Sequence, residues 1–345
     1  MSKKITIAID AMGGENAPKK NIEGLKIFLD KNKSHNDFFI YLYGDQASLK
    51  KELLKHNITE NLVKIIHTDG VISDEETPLT AIKNSKNTSM WHSVNAQINN
   101  KADISLSAGN TGVLLVISRM ILKTMKEVSK PALAGLWPSK KGMSVVLDLG
   151  ANIECDDKNL IDFSELGAAL YKSIFPDKQP CVSILNIGSE EIKGTETIKK
   201  AYSKLKELSK KNNFTFYGYI EGNKLMDGKT NVIVTDGFTG NIALKTAEGT
   251  AKFITDSLKK TLTENIFTRI SILFSYFSLK KFKSKLDPRK YNGAIFLGLN
   301  GPVVKSHGGT DALGFYYSIN LCYKIIKGNL MKEIKSNLSH LDVES

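Results

Sequence analysis

The stretch KITIAIDAMGGENAP, residues 4–18, is the part of the sequence that most directly indicates the fold. Its β-branched start, residues 4–9, predicts a buried strand. Gly13 and Gly14 predict a tight turn directly after that strand, because glycine adopts turn conformations without steric strain. The same order of strand, glycine turn and helical pattern returns twice further along the chain.

Short β-branched runs alternate with amphipathic stretches over the whole chain. This alternation predicts right-handed βαβ units, and therefore an α/β fold of three αβα layers around a mostly parallel sheet. We expect residues 1–345 to form a single catalytic α/β domain with two lobes around one cleft. In residues 197–211 the apolar positions share one helical face, namely Ile198, Ala201, Tyr202, Leu205 and Leu208. Predicted strands span residues 4–9, 38–43, 63–67, 104–107, 144–149, 181–187, 214–220, 231–235 and 294–299.

Three glycine-rich turns follow predicted strands and open helical patterns. Glycine lets backbone N–H groups approach an anion, and the start of the following helix carries partial positive charge. Taken singly, each turn is equally typical of a tight turn capped by Asn or Thr. Taken together, they predict one shared phosphate-binding crevice at the carboxyl ends of the strands. The predicted binding residues are Gly13 and Gly14, then Gly109, Asn110 and Thr111, then Gly237, Thr239 and Gly240, together with Lys305 in a later loop.

Several classes of protein are disfavoured by what the motifs and the composition contain. The glycine turns match neither the GxGxxG pattern of dinucleotide-binding folds nor the GxxxxGK[ST] nucleotide loop, so we infer no nicotinamide cofactor and no ATP. The three cysteines, Cys155, Cys181 and Cys322, show neither metal-ligand spacing nor the even count of a disulfide framework. We therefore expect no metal, no cofactor and a reducing cytoplasm, since the chain starts without a signal-peptide core.

The chain is basic, with 48 Lys and Arg against 36 Asp and Glu and a formal net charge of +12. An excess of positive charge favours anionic partners, which include nucleic acid, anionic lipid, an acidic protein and phosphate. Charge alone does not choose among these partners.

Several long sequence blocks resemble one known family. They include IAIDAMGGENAP at 7–18, SAGNTG at 107–112, LDLGANIEC at 147–155, LNIGSEEIKGTE at 185–196, residues 219–249 and VVKSHGGTD at 303–311. In these blocks the chain resembles the fatty acyl-acyl carrier protein:phosphate acyltransferases of bacterial phospholipid synthesis. The resemblance covers nearly the whole chain, with small departures: Glu15 replaces a usual Asp, and Lys130 a common Arg.

This resemblance implies a fold, an activity and a set of partners. The fold would be similar to the isocitrate/isopropylmalate dehydrogenase-like and phosphotransacetylase-like architecture. The activity would be reversible transfer of a fatty acyl group from acyl-acyl carrier protein to inorganic phosphate, which gives an acyl phosphate and needs no cofactor. The implied partners are acyl carrier protein, phosphate, a second copy of the chain and, functionally, a membrane glycerol-3-phosphate acyltransferase. The implied location is the cytoplasm, with peripheral contact to the inner face of the cell membrane.

Three residues in the family blocks are candidates for catalysis. The reaction needs a bound phosphate, donors for the tetrahedral oxyanion and stabilisation of the leaving thiolate. Lys193 could bind phosphate or the oxyanion, although a lysine beside two glutamates is commonly a solvated surface charge. Asn241 could donate to phosphate or carbonyl oxygen, or simply cap a helix. His307 could protonate the thiolate or bind phosphate, although a lone histidine is commonly structural.

A basic, apolar segment spans residues 265–290. Apolar residues on one helical face beside basic residues are typical of a helix that lies on anionic lipid. A helix in a dimer interface or packed on the core explains the same pattern, and the basic residues could also dock acidic carrier protein. The predicted contact residues are Arg269, Ile270, Leu273, Phe274, Phe277, Lys280 and Lys281.

Two other functions stay open from the sequence. One is a short-chain phosphate acyltransferase that uses acyl-coenzyme A. The other is a lipid- or nucleic-acid-binding scaffold without catalysis, which the net charge permits. A nucleic-acid partner is disfavoured because it leaves the glycine turns unexplained.

Overall fold

The described strands of the computed structural model, which covers residues 4–73, 75–209, 213–285 and 287–338, form one sheet of eleven strands. The strands are β1 (Ile5–Asp10), β2 (Phe38–Gly44), β3 (Val63–His67), β4 (Ile104–Ser107), β5 (Ala132–Ser139), β6 (Gly142–Leu147), β7 (Cys181–Asn186), β8 (Thr215–Glu221), β9 (Val232–Val234), β10 (Ala294–Leu297) and β11 (Val303–Lys305).

Eleven α-helices connect and flank the strands within the same described ranges. They are α1 (Lys19–Lys31), α2 (Gln46–Lys55), α3 (Pro78–Asn84), α4 (Ser89–Ile98), α5 (Thr111–Leu122), α6 (Asp157–Ile174), α7 (Glu196–Leu208), α8 (Gly237–Thr263), α9 (Ile266–Lys285), α10 (Ala312–Lys327) and α11 (Leu330–Leu338). Among the described helices, none combines the length and the apolar character needed to cross a membrane.

The sheet contains two parallel blocks that run in opposite directions. Its strand order is β3-β2-β1-β4-β11-β10-β5-β6-β9-β7-β8. Strands β3, β2, β1, β4 and β11 are parallel to one another, and so are β6, β9, β7 and β8. Antiparallel pairs of β10 with β11, β10 with β5, and β5 with β6 join the two blocks. The carboxyl ends of the two blocks therefore point in opposite directions but lie at nearly the same level of the sheet, because Lys305 at the end of β11 and Val146 near the end of β6 share one row across β10 and β5.

Helices cover both faces of this sheet, which confirms the predicted three-layer α/β fold. Strand β1 shows why, because successive side chains of a strand point to opposite faces. Ile7 and Ile9 belong to the large core that also contains α1, α6 and α10 residues, whereas Ala8 packs with Tyr43 and Ala96 on the other face.

All nine predicted strands are present, with ends within two residues of the predicted ones. The predicted helix over residues 197–211 is α7, which ends at Leu208; residues 210–212 lie outside the described residues. Strands β5 and β11 are not among the predicted strands, and Lys305, predicted to lie in a loop, is the last residue of β11. β11 has three residues, and β5 carries Gly135 and Pro138, which disfavour strand assignment by composition.

We expect Phe315→Ala to lower the free energy of unfolding by about 3–5 kcal/mol, because it leaves a large cavity in a packed core. Phe315 is fully buried on α10, and its ring lies against Gly24 of α1. Urea denaturation measures the change. Leu54→Ala on α2 is the matched control, since Leu54 is exposed and its truncation should change the stability little. A similar small loss in both variants would contradict the assignment of the α1–α10 contact to the core.

Candidate active site

The first two glycine turns are held together by Asp10, at the end of β1. The Ser107 hydroxyl donates to Asp10 Oδ2 at 2.6 Å, and the Met12 N–H donates to Asp10 Oδ1 at 3.3 Å. Ser107 Oγ in turn accepts the Gly109 N–H at 3.1 Å. Burial raises the pKa of the Asp10 carboxyl group above its ordinary value, against the hydrogen bond from Ser107. Asp10 thus joins the ends of β1 and β4, as expected for a loop-holding carboxylate.

Gly13 is required by this arrangement. A Cβ atom at Gly13 would lie 2.5 Å from Asp10 Oδ2 and 2.7 Å from the Gly109 nitrogen. Both distances are far below normal van der Waals contact, so any larger residue would push the two turns apart. The turns approach each other closely because position 13 carries no side chain.

Two buried lysines converge on these turns. Lys20, on α1, is 5% exposed, and its Nζ donates to the Gly308 carbonyl oxygen at 2.5 Å. Lys305, at the end of β11, is 9% exposed, and its Nζ donates to the carbonyl oxygens of Ala108, at 3.3 Å, and Ser306. Lysines are seldom buried to this degree, because desolvating an ammonium group is unfavourable. Their presence beside glycine turns indicates an anion-binding region.

We call residues 10–15, 107–110 and 305–309, with Lys20, the Lys305 cluster. It contains Gly14 and Gly109 as predicted. Asn110 caps helix α5, since its Oδ1 accepts the Val113 N–H at 3.1 Å, and Thr111 follows as the exposed first residue of that helix. The capping role of Asn110 that the sequence left open is therefore the one seen.

His307 lies in the last loop of the Lys305 cluster. Its Nδ1 accepts the Gly309 N–H at 3.1 Å, and the Asn292 side chain fixes its backbone through a 3.0 Å hydrogen bond. Because Nδ1 is an acceptor, the neutral ring carries its proton on Nε2. Burial, and then the charge of Lys305, lower the pKa of His307 below its ordinary value. The geometry therefore suits His307 as a hydrogen-bond donor through Nε2.

A second cluster forms around Asp148, just after β6. Asp148 is fully buried, and its two carboxylate oxygens accept hydrogen bonds from the backbone N–H groups of Leu133, Gly150, Ala151 and Asn152 and from the Asn152 side chain. Asp148 therefore holds the loop after β6 in place through these hydrogen bonds. We call residues 148–152 and 236–241 the Asp148 cluster.

The third glycine turn packs on this second cluster. The Gly237 N–H donates to the Asn152 carbonyl oxygen at 2.8 Å, and a Cβ at Gly240 would collide with the Asp148 carbonyl oxygen. Asn241 Nδ2 donates to the Leu149 carbonyl oxygen at 3.2 Å. The Thr239 hydroxyl donates to Asp236, the N-cap of α8, at 2.7 Å.

Lys193 and Cys155 lie in loops that follow strands of the same parallel block, β7 and β6 respectively. Lys193 follows β7, is exposed and forms a 3.2 Å ion pair with Glu190, as expected for a surface lysine. Cys155 is half-buried; burial, and then the charge of Asp148, raise the pKa of its thiol to about 11. The Cys155 thiol is therefore protonated at neutral pH, which disfavours it as a nucleophile.

The two clusters do not form a single ring of turns, because the strand blocks point in opposite directions. Lys305 and Val146 occupy one row across β11, β10, β5 and β6, so they are three strand spacings, about 14 Å, apart. Helix α8 spans this gap: it starts in the Asp148 cluster, and about 12 Å later it carries Lys245. The charges of Lys245 and Glu248 act on the pKa of His307. The turns therefore lie in two groups, about three strand spacings apart across the sheet, and α8 connects the two groups.

The sequence did not single out Lys20, Lys245 or Glu248 as site residues. Lys20 carries only a weak signal, because it follows Lys19 and either lysine can be the exposed one. Lys245 and Glu248 form a 2.8 Å ion pair typical of any solvated helix. Among the described residues, no group of three or more His, Cys, Asp or Glu side chains is placed to hold a metal ion.

The basic segment forms helix α9, which lies beside α8. Phe274, Phe277, Lys280 and Lys281 are exposed on it. The side chains of Arg269, Ile270 and Leu273 lie outside the described residues.

Known proteins are similar to this chain over nearly its whole length. The family described as "Fatty acid synthesis protein" matches residues 5–333. A phosphate acyltransferase of Pelagibacter ubique is 54% identical over 340 residues, which cover 98% of this chain and all of the relative. A phosphate acyltransferase of Caulobacter vibrioides is 40% identical over 341 residues, or 99% of this chain and 93% of the relative.

Solved structures support the fold. A phosphotransacetylase from Streptococcus pyogenes superposes with a TM-score of 0.61 at 16% identity, over 96% of this chain and 95% of that one. The EutD phosphotransacetylase of Staphylococcus aureus gives 0.60 at 14% identity, over 94% of both chains. At these identities the likeness confirms the phosphotransacetylase-like architecture that the sequence predicted.

We predict that His307 titrates below the ordinary histidine pKa of about 6.5, so that its ring is neutral at pH 7. NMR titration of its ring protons measures this pKa. The positive charge of Lys245 lowers the pKa of His307, so Lys245→Met should raise that pKa. The negative charge of Glu248 raises the pKa of His307, so Glu248→Gln should lower it further. Shifts in the same direction for both variants would contradict the placement of α8 beside His307.

Proposed function

Given that the chain belongs to the fatty acid synthesis protein family, whose curated relatives are phosphate acyltransferases, we propose that it transfers a fatty acyl group from acyl-acyl carrier protein to inorganic phosphate. Membership makes the chain a phosphate acyltransferase; the carrier-protein thioester as donor is the proposal. The observation that carries it is the pair of buried ammonium groups, Lys20 and Lys305, beside two glycine turns. This region offers concentrated positive charge to a phosphate dianion.

The proposed reaction balances without a further reactant. An oxygen of hydrogen phosphate attacks the thioester carbonyl carbon, and a tetrahedral oxyanion forms. The C–S bond then breaks, the acyl phosphate is released, and the proton of the hydrogen phosphate ends on the carrier thiol. The enzyme has to bind both reactants and stabilise the oxyanion, and holding them in register contributes much of the rate.

We assign roles on this basis. Lys20 and Lys305 would hold phosphate, together with the backbone of Gly13, Gly14 and Gly109. His307 would donate its Nε2–H to the oxyanion or to phosphate, since a neutral ring with an occupied Nδ1 is a poor acid for the thiolate. On the side of the Asp148 cluster, Asn241 and Lys193 would contact the thioester, with Gly237, Thr239 and Gly240 shaping the start of α8.

The decisive assay mixes the purified protein with long-chain acyl-carrier protein and phosphate, and measures acyl phosphate and free thiol. We expect Lys20→Met and Lys305→Met each to raise the KM for phosphate at least tenfold, because a charged hydrogen bond to the dianion is lost. Lys19→Met is the matched control, since Lys19 is the exposed neighbour of Lys20 and should leave the KM unchanged.

Two outcomes would contradict these assignments. An equal effect of Lys19→Met and Lys20→Met would remove Lys20 from the phosphate site. Full activity of both folded variants Asn241→Ala and Lys193→Ala would remove those residues from catalysis. The same assay with acyl-coenzyme A tests the other donor: faster turnover with short-chain acyl-coenzyme A than with acyl-carrier protein would overturn the proposed substrate.

We also propose that α9 touches the cytoplasmic face of the membrane. Phe274 and Phe277 are 88% and 83% exposed, one helical turn apart, with Lys280 and Lys281 next along the helix. Exposed aromatic rings beside lysines favour binding at the surface of anionic lipid. Contact there would place the acyl phosphate close to a membrane glycerol-3-phosphate acyltransferase that consumes it.

Helix α8 offers a separate surface for a second copy of the chain. Phe253, Ile254 and Leu258 are all exposed along it, and monomeric proteins rarely leave such a row uncovered. We propose that α8 forms the interface of a homodimer.

We expect the double substitution Phe274→Glu with Phe277→Glu to reduce flotation with anionic liposomes several-fold, because it removes apolar contact and adds negative charge. Leu79→Glu on α3 is the control, since Leu79 is equally exposed on another helix. Unchanged flotation of the double variant would count against α9 as the membrane contact. If flotation is unchanged and sedimentation shows that the variant has turned from a dimer into monomers, α9 belongs to the subunit interface instead.

A further inference from the structure

A cavity of about 230 Å³ lies on the outer part of the sheet, and no residue of either loop cluster lines it. Its floor comes from β2 and β3 and its wall from α4. The lining residues are Tyr41, Tyr43, Lys64, Ile66, His92, Asn95, Ala96, Asn99 and Lys101. None of these residues takes part in the acyl transfer proposed above.

The packing of α4 explains why the cavity exists. Ala96 lets α4 lie close over β1 and β2, where it packs with Ala8 and Tyr43. Strand β3 is the outermost strand, beyond α4, so its side chains form the open side of the cavity. Strand register places Tyr41 opposite Lys64 and Tyr43 opposite Ile66 on the same face.

The helical wall presents polar groups to this floor. His92, Asn95 and Asn99 are spaced by three and four residues, so they share one face of α4. Their amide and imidazole groups offer both hydrogen-bond donors and acceptors. A ligand between floor and wall would meet aromatic rings on one side and polar edges on the other.

The floor is aromatic. The rings of Tyr41 and Tyr43 lie with their centroids 6.4 Å apart at an angle of 47°, and Phe39 continues the row with a centroid 5.2 Å from that of Tyr41. Burial, and then the neighbouring Tyr41, raise the pKa of Tyr43 to about 12, so its phenol is neutral. Because Tyr43 is buried under α4, the partly exposed ring of Tyr41 is the surface on which a planar ring can stack.

The charge of the cavity comes from two lysines. Lys64 and Lys101 are exposed at its rim, and within the described part of the chain neither forms an ion pair and no acidic residue lines the cavity. Burial lowers the pKa of His92, so the ring is neutral at pH 7. The lining therefore carries two positive charges, which favour an anion.

We propose that this cavity binds a small molecule in which a planar aromatic ring is joined to a phosphate group, with a nucleoside monophosphate as the simplest example. The ring would stack on Tyr41, beside the buried Tyr43, and the phosphate would contact Lys64 and Lys101. The volume is below the roughly 300–1,000 Å³ of pockets that enclose drug-sized ligands. It suits one ring system, with the phosphate at the exposed rim.

The test of this site is the binding of AMP to the full chain, measured by calorimetry and by NMR of the histidine ring protons. We expect one AMP per chain, with a shift of the His92 signal and none of His307. Lys64→Gln combined with Lys101→Gln should weaken AMP binding at least tenfold, because charged hydrogen bonds to phosphate are lost. The same double variant should bind neutral adenosine as the wild type does and should form acyl phosphate at an unchanged rate.

Two further variants locate the site. Tyr41→Leu keeps an apolar side chain but removes the aromatic ring, so it should weaken the binding of both AMP and adenosine. The control is Lys50→Gln combined with Lys51→Gln, which removes the same net charge from exposed positions of α2 outside the cavity. This control should leave the affinity for AMP and for adenosine unchanged. The proposal is overturned if AMP does not bind, or if the two double-lysine variants lose AMP affinity equally. It is also overturned if AMP shifts the NMR signal of His307 instead of that of His92, or if a single-stranded oligonucleotide binds the same residues much more tightly than AMP does.

Discussion

The reversal of strand direction in the middle of the sheet is the constraint from which the rest of this molecule follows. Loops at the carboxyl ends of parallel strands gather ligands, and here the two parallel blocks bring their loops to nearly the same level of the sheet from opposite directions. Two separate clusters result, each organised by one buried carboxylate, Asp10 or Asp148. Helix α8 connects them, since it starts in the Asp148 cluster and carries Lys245 and Glu248, whose charges act on His307 in the Lys305 cluster. The chemistry is therefore divided between two halves of one continuous sheet.

Local sequence was sufficient for the elements of this fold and insufficient for their directions. The alternation of strand and helix patterns located nine strands, because each has its own β-branched run and turn signals. It could not show that β6, β9, β7 and β8 run against β1, since strand direction depends on the antiparallel pairs made by β5 and β10. β5 itself is obscured by Gly135 and Pro138. The sequence therefore predicted one shared crevice without showing that its turns come from strands of opposite direction.

The lysines show the same limit at the level of single residues. Lys305 was identified from its loop, and its burial beside Ala108 supports the expectation of an anion site. Lys193 looked equally promising in its sequence block, yet it is exposed and paired with Glu190. Lys20 gave almost no signal, because burial depends on α1 lying against the Gly308 loop, a contact between residues 288 positions apart in the sequence. Residue type and motif indicate which groups can bind an anion; tertiary packing decides which of them do.

The closeness of Gly13 to Asp10 has an evolutionary consequence. A single substitution at position 13 displaces the carboxylate that joins two strand ends, and a larger residue at position 10 meets the same crowding from the other side. Both changes add bulk to the same space, and a Cβ at position 13 would also lie 2.7 Å from the Gly109 nitrogen, so a replacement at position 10 makes no room at position 13. Sequence drift in this corner of the protein is therefore restricted at both positions by one packing constraint.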